Sequence, residues 1–278
     1  MKNRLVNLMV FTVVVVLLVS TAAFAQRGQR GGRGNAAPAV PDTRPFDPHD
    51  LSGLWLKNTV RPREHPPLTP AGQKAIEGRK PDYLTKVPTE SNDPMYKCNP
   101  QGFPRLVWEE NEPLEIIMLP GRVLQLFQWE RTLRELWMDG RALPSGENLE
   151  NLGPTWYGHS VAQWEGNTLV VKTTGLDERA WLDEYGNPKS FDAMYEERYT
   201  RTSYDKIEGQ LTINDPKNFT APWVHPMSTF TRMRDQDTTF FGWKGLFSGV
   251  TEAICAPMNE VDDFDKRIRD PAVYGEKK

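Results

Sequence analysis

The chain has 278 residues, of which 38% are hydrophobic and 26% charged, and its formal net charge is −3. This length suffices for one large hydrophobic core or two modest ones, and the composition excludes a disordered or collagen-like chain. Basic residues cluster from Arg27 to Arg44, whereas the chain from Phe46 onward is acidic. A nucleic-acid binder would carry a basic face on its folded part, so the sequence predicts no nucleic-acid partner.

The first residues contain the three parts of a secretory signal. Lys2 and Arg4 form a charged start, Leu8–Val19 is an apolar run, and Ala23-Phe24-Ala25 is a small-x-small cleavage site. The run is too short to span a bilayer comfortably. We expect cleavage after Ala25, a periplasmic or secreted protein, and no stable membrane span after cleavage. An uncleaved N-terminal anchor is the alternative interpretation.

The sequence contains two cysteines, Cys98 and Cys255. In an exported chain, a single pair of cysteines is by default one disulfide. Two buried thiols or a reactive nucleophile are the alternatives. Neither cysteine has a neighbouring His, so the nucleophile is the weakest of the three.

Composition divides the chain into four segments. They are a signal peptide (1–25), a disordered Gly/Arg/Pro-rich spacer (26–47), a Pro-rich extension (48–114) and a β-rich domain (115–278). The extension opens with a strand signal at Leu51–Trp55. It also contains one short helix, in which Thr69 caps the run that begins at Pro70.

From Glu115 onward the sequence consists of short β-rich runs separated by turns, with almost no helical period. The nine candidate strands are Glu115–Leu119, Arg122–Glu130, Leu133–Asp139, Gly158–Trp164, Thr168–Thr174, Met194–Thr202, Gly209–Asn214, Ser228–Arg234 and Thr238–Trp243. Gly166-Asn167 is a two-residue hairpin signal, so neighbouring runs should pair antiparallel. The pattern predicts a mainly β fold, an up-and-down antiparallel barrel behind a Pro-rich N-terminal extension. A β-sandwich is the alternative.

Two resemblances follow from these residues. The Leu-Ser-Gly-Leu-Trp run ending at Trp55, placed before a β-meander, resembles the first strand of the calycin or lipocalin superfamily, which implies a barrel with a cavity for an apolar ligand. The chain also resembles a group of exported bacterial proteins of unassigned function. The motifs that carry this second resemblance are DLSGLW from Asp50, PLTPAGQ from Pro67, PGR from Pro120, GHSVAQWEGNTLVV from Gly158 and ER from Glu197. It implies no reaction.

His159 is the leading acid-base candidate among the four histidines, since the other three lie in Pro-rich segments. The surrounding Gly-His-Ser-Val-Ala run is close to a nucleophile elbow, but it continues into a hairpin, which disfavours a serine hydrolase. With a two-residue turn, Trp164 faces Leu169, and Ser160 lies on the buried side. His159 would then lie on the other side of the strand, so a functional and a structural role both remain open.

Glu197 is the second acid-base candidate. Residues of Met194–Thr202 alternate, and the set Tyr195, Glu197, Tyr199 and Arg201 carries the aromatic rings, so it is the better inward face. A carboxylate inside a barrel either has a cationic partner or an increased pKa. Arg122, Arg198 and Arg201 are the candidate partners. The alternatives are a structural internal ion pair, an exposed charged stripe, and a carboxylate that faces a ligand.

Aromatic side chains are the best candidates for holding a ligand, since large rings beside loops are costly to expose. The predicted ligand-binding residues are Trp129, Trp156, Tyr157, Trp181, Tyr195, Arg198 and Tyr199. No two His or Cys residues stand at metal-ligand spacing, and no glycine-rich phosphate or dinucleotide motif occurs, so no metal and no cofactor is predicted.

The sequence therefore favours an exported binder of a small apolar or aromatic molecule held in a β-barrel cavity. The alternative is a cofactor-independent lyase, isomerase or hydrolase on the same barrel. In that case Glu197 or His159 would be the general base, and Arg122 would stabilise an anionic intermediate.

Overall fold

The computed structural model describes residues 43–62, 64–81, 90–233, 250 and 255–256. The predicted signal peptide, most of the predicted spacer and the predicted strand at 238–243 lie outside these residues. Within them, the chain is mainly β, with ten strands and a few short helices.

Nine of the ten strands close into a barrel. The strands are β1 (Gly53–Asn58), β2 (Leu114–Leu119), β3 (Arg122–Phe127), β4 (Leu133–Trp137), β5 (His159–Glu165), β6 (Thr168–Thr174), β7 (Met194–Ser203), β8 (Lys206–Asn214), β9 (Trp223–Val224) and β10 (Ser228–Arg232). Strands β1 to β8 lie side by side in chain order, and β10 closes the ring by pairing with both β8 and β1. The two-residue strand β9 pairs with β8. This closed ring confirms the predicted mainly β barrel and excludes the sandwich.

One junction differs from the predicted antiparallel meander. Strands β4 and β5 run parallel and are joined at one residue pair, Trp137 with Val161. Parallel neighbours need a connection that crosses back along the sheet. Residues 138–158, which include helix α3 (Gly146–Leu152), provide it. The barrel is therefore mixed, and the seam between β4 and β5 has the fewest paired residues of any junction in the ring.

The predicted register of the β5–β6 hairpin is confirmed. Trp164 lies opposite Leu169, and Ser160 lies opposite Thr173, as a two-residue Gly166-Asn167 turn requires. Ser160 is buried, whereas the next residue towards the start of the strand, His159, is half-buried on the other side. Successive side chains of a strand point to opposite sides, so the inward facing of Ser160 places His159 on the outer side.

The inward face of β7 is also as predicted. Its buried residues are Tyr195, Glu197, Tyr199 and Arg201. The following strand, β8, begins at Lys206 rather than at the predicted Gly209.

The predicted extension supplies part of the barrel. Strand β1 lies in the ring between β2 and β10, and Trp55 within it is fully buried, with its Nε1 donating to the Leu51 carbonyl at 2.9 Å. The predicted short helix is helix α1 (Pro70–Ala75), where the Thr69 side chain accepts from the Gly72 amide at 3.1 Å.

Residues 101–109 pack into the barrel core as a plug segment. The segment contains helix α2 (Arg105–Trp108), and Phe103, Leu106 and Trp108 are each 0% exposed. Two buried lysines hold it in place. Lys57 Nζ donates to the Leu106 carbonyl, and Lys189 Nζ donates to the Phe103 carbonyl at 2.8 Å.

Because these two lysines are buried, we expect the free energy of unfolding to increase above neutral pH. Burial lowers the pKa of Lys57 and of Lys189 to about 7, from 10.5. Between those pH values the unfolded chain binds more protons than the folded one, so the free energy of unfolding increases with pH. The increase should reach up to about 1.4 kcal/mol per pH unit for each lysine.

Urea denaturation at pH 7, 8 and 9 measures this slope. We expect Lys189→Met to remove part of it and Lys206→Met, at a lysine with 44% side-chain exposure, to leave it unchanged. If the free energy of unfolding rises equally steeply with pH in the wild type and in Lys189→Met, burial does not lower the pKa of Lys189.

The predicted disulfide is confirmed. Cys98 and Cys255 are bonded across a sequence separation of 157 residues, with their Cα atoms 5.6 Å apart. Cys98 directly follows a 3₁₀ turn at Pro94–Lys97. The bond therefore fastens the part of the chain that leads into the plug segment to the C-terminal region.

Candidate functional site

An ion pair between Arg134 on β4 and Glu197 on β7 forms the polar centre of the barrel. Arg134 Nη2 lies 2.6 Å from Glu197 Oε2, and Nη1 lies 3.1 Å from Oε1, so the contact is bidentate. The two side chains are 1% and 0% exposed. Because β4 and β7 are not neighbours in the ring, the pair spans the interior.

Further hydrogen bonds complete this interior cluster. Glu197 Oε1 also accepts from Trp108 Nε1 at 3.1 Å and from the Tyr199 hydroxyl at 2.6 Å. Burial raises the pKa of Tyr199 well above its usual value, so its hydroxyl keeps the proton that it donates. The remaining Arg134 contacts are to Gln125, Ser160 and Thr173.

The predicted cationic partners of Glu197 were wrong. Strand alternation turns Arg122 and Arg198 outward, and their side chains are 40% and 41% exposed. Arg201 faces inward but lies at the end of β7. Their observed partners are Glu135 for Arg122, Glu165 and Glu196 for Arg198, and the carbonyls of Asp50, Ser203 and Tyr204 for Arg201.

Glu197 is therefore enclosed by its partners. Packing around it is aromatic: the Trp108 and Tyr199 rings stack with centroids 5.7 Å apart, and the Arg134 guanidinium lies 4.1 Å from the Phe103 ring centre. A buried carboxylate with this many donors is suited to holding the strands together across the interior. This arrangement offers no support for Glu197 as a base that meets a ligand.

A cavity of about 510 Å³ opens at the seam between β4 and β5, and we call it the seam cleft. The two strands are joined at a single paired position, and residues from the connection between them line the cavity together with β4 and β5. Its lining residues are Leu133, Arg134, Glu135, Trp137, Arg141, Ala142, Pro144, Leu152, Thr155, Trp156, Tyr157, Gly158, His159, Ser160 and Val161.

The seam cleft has aromatic walls and an apolar rim. Trp137, Trp156 and Tyr157 are half-buried in its lining. Leu133 and Leu152 also line it, and they are 52% and 58% exposed. Large apolar side chains with that much exposure, gathered at one opening, are typical of a binding site.

His159 also lines the seam cleft. Its Nε2 lies 2.9 Å from the Gly153 carbonyl, which can only accept, so Nε2 carries the proton and Nδ1 is the acceptor of the neutral ring. The ring packs closely against Gly175, where an added Cβ would lie 2.6 Å from His159 Cδ2. The hydrogen bond to Gly153 thus fixes the His159 ring and anchors the residues that follow helix α3.

The other predicted site residues lie elsewhere. Trp181 is buried beside Arg79, whose guanidinium is 5.4 Å from the ring centre, and Trp129 lies in the turn between β3 and β4 and packs against the core. Tyr195 and Tyr199 are fully buried. Of the predicted ligand-binding residues, Trp156 and Tyr157 line the seam cleft, together with the predicted base His159.

A second cavity of about 540 Å³, which we call the outer cavity, adjoins the seam cleft and shares Arg141 and Val161 with it. Its other lining residues are Met138, Gly140, Leu143, Ala162, Gln163, Trp164, Val170 and Lys172. Residues 138–143 form one wall, and β5 and β6 form the other.

Three residues that shape this region were not predicted from the sequence: Arg134, Trp137 and Arg141. The positions of Arg134 and Trp137 depend on which way β4 faces, and the position of Arg141 depends on the path of the segment after β4. Arg134 shares the buried side of β4 with Leu136, but Leu133 and Trp137 make the other side apolar as well, so the sequence carried no clear signal for Arg134.

Comparison of the chain with known protein families, with curated proteins and with solved structures finds no match. The fold itself, a closed nine-stranded β-barrel, is consistent with a calycin-like architecture. Among the described residues, no helix has the length and hydropathy of a membrane span. The same residues contain no group of three or more His, Cys, Asp or Glu side chains placed to hold a metal ion.

Proposed function

We propose that this protein binds a small apolar or aromatic molecule in the seam cleft. The observation that carries the proposal is the lining of that cleft, where Trp137, Trp156 and Tyr157 form the walls and exposed Leu133 and Leu152 form the rim. A volume of about 510 Å³ is in the usual range for a small-molecule site. The proposal differs in place from a ligand inside the barrel, because the interior around Glu197 is occupied by packed side chains.

We propose further that the protein is exported. The signal-like N-terminal sequence supports this, and a disulfide between Cys98 and Cys255 is compatible with an oxidising compartment. Membership of the calycin superfamily, and of the group of exported bacterial proteins with the same motifs, belongs to this proposal as well.

The alternative function is an enzyme in which His159 is the general base. It is supported by one observation, that His159 lines the cleft with Nε2 held by Gly153 and Nδ1 as its acceptor nitrogen. Recovering a co-purified molecule and incubating it with fresh protein separates the two functions. A binder returns the molecule with unchanged mass and unchanged chromatographic retention, whereas conversion to another compound, an isomer included, that His159→Gln abolishes would favour the enzyme.

The binding proposal predicts saturable binding of N-phenyl-1-naphthylamine, a neutral aromatic probe whose fluorescence increases in an apolar site. Replacing both Leu133 and Leu152 by Ser should weaken this binding about tenfold, because the apolar rim loses contact area. A fluorescence titration measures the affinity.

Val224→Ser is the matched control, since Val224 is a strand residue with 55% exposure in β9. It should leave the affinity unchanged. An equal effect of the control and rim variants, or no saturable binding by the wild type, would contradict the proposed site.

A further inference from the structure

The outer cavity combines an apolar lining with positive charge. Met138, Leu143, Val161 and Val170 supply apolar surface, and the charged side chains among its described lining residues are Arg141 and Lys172. No carboxylate occurs among those lining residues. An apolar site with a cationic end is complementary to an amphipathic anion.

Lys172 is left without an ion pair by its neighbours. On β7, Glu196 lies opposite Lys172 in the register, but its carboxylate accepts from Arg198 at 3.1 Å. Glu165, at the end of β5, also accepts from Arg198, at 2.8 Å. Arg198 thus engages both of these carboxylates. The Arg198 hydrogen bond and, at longer range, the charge of Lys172 lower the pKa of Glu165, but Lys172 forms no ion pair within the described part of the chain.

Arg141 is held in position beside both cavities. Its Nε and Nη2 donate to the two carboxylate oxygens of Asp139, at 2.8 Å and 2.5 Å, so Arg141 and Asp139 form an ion pair. The Arg141 guanidinium lies 3.7 Å from the centre of the Trp137 ring. These contacts use one edge and one face of the guanidinium. The Nη1 group has no hydrogen-bond partner among the described residues, so it retains donor capacity where the seam cleft and the outer cavity meet.

We infer that the ligand is an organic acid: an aromatic or apolar body in the seam cleft, with a carboxylate or sulfonate group bound in the outer cavity by Lys172 and Arg141. This inference rests on the proposed function, because it assigns the acidic end of the same ligand. The cationic groups set the chemical class of the ligand, and the rings of the seam cleft hold its body.

Two probes with the same ring system test the inference. 8-Anilinonaphthalene-1-sulfonate carries the body of N-phenyl-1-naphthylamine plus one sulfonate. We expect the wild type to bind the sulfonate about tenfold more tightly than the neutral probe, since a charge-assisted hydrogen bond of ordinary strength accounts for that ratio. Lys172→Gln should remove most of this preference and leave the affinity for the neutral probe within about twofold.

Lys206→Gln is the matched control, because Lys206 is a strand lysine with 44% side-chain exposure on β8. It should alter neither affinity. Raising the salt concentration should weaken binding of the sulfonate alone, as expected for a partly exposed charge contact.

The outcomes separate the two proposals. Equal affinity of the two probes, or an equal effect of Lys172→Gln on both, would overturn the acidic ligand and leave the proposed function standing. Absence of saturable binding for both probes would overturn the proposed function. Sulfonate binding that is insensitive to the Leu133 and Leu152 rim variants would place the sulfonate elsewhere and overturn the acidic ligand, whereas the same insensitivity of the neutral probe would overturn the proposed function.

Discussion

Replacing Arg134 by Met is expected to lower the free energy of unfolding by about 3–5 kcal/mol. The substitution keeps most of the side-chain volume but leaves the Glu197 carboxylate, 0% exposed, without its cation. It also removes the donors that reach Gln125, Ser160 and Thr173. Denaturation by urea, followed by tryptophan fluorescence, measures the loss.

Arg198→Met provides the control on the outer surface. Arg198 also pairs with carboxylates, but its side chain is 41% exposed, so its loss should cost at most about 1 kcal/mol. Adding Glu197→Leu to Arg134→Met should recover part of the lost stability, because the unpaired buried charge is then removed. Equal costs for Arg134→Met and Arg198→Met would show that the interior ion pair is not buried as described.

Removing the Cys98–Cys255 disulfide is the second large effect. The bond closes 157 residues, and the chain-entropy treatment assigns about 5 kcal/mol to a loop of that length. We expect the double variant Cys98→Ser/Cys255→Ser to unfold at a much lower urea concentration than the oxidised wild type. Reduced wild type should resemble the variant.

Thiol alkylation before and after reduction provides the check on this prediction. Unreduced protein should present no reactive thiol at Cys98 or Cys255, and reduced protein should present two. Alkylation of both cysteines without a reductant would contradict the bond. An unchanged free energy of unfolding after reduction would contradict the predicted contribution of the disulfide to stability.

The alternation of apolar and polar residues predicted the register and facing of those strands that have one clearly apolar face. Trp164 and Leu169 were placed opposite each other from a two-residue turn, and the structure has that register. The inward facing of Glu197 followed in the same way from the aromatic rings on either side of it. In such strands a shift by one residue would expose the whole apolar set, so the sequence specifies the facing strongly.

The partner of Glu197 could not be predicted by the same reasoning. Strand β4 has apolar residues on both faces, with Leu133 and Trp137 on one and Leu136 on the other, so alternation does not specify which way Arg134 points. The contact also crosses the barrel between strands that are not neighbours in the ring. Sequence patterns describe neighbours along a strand, whereas this pair depends on how the ring closes.

The seam cleft was missed for a topological reason. The parallel pairing of β4 with β5 depends on the path of residues 138–158, which carry no strand pattern of their own. Trp156 and Tyr157 were predicted at a barrel mouth because they lie beside loops, and they line the cleft at the seam instead. Residue type indicated a binding role, but it did not indicate the place.

The most direct test of the proposed site is a crystal structure of the protein with N-phenyl-1-naphthylamine bound. We predict electron density for the probe between β4 and β5, against Trp156 and Tyr157 and beneath the rim formed by Leu133 and Leu152. Density inside the barrel beside Glu197, or on a surface remote from the seam, would contradict the account.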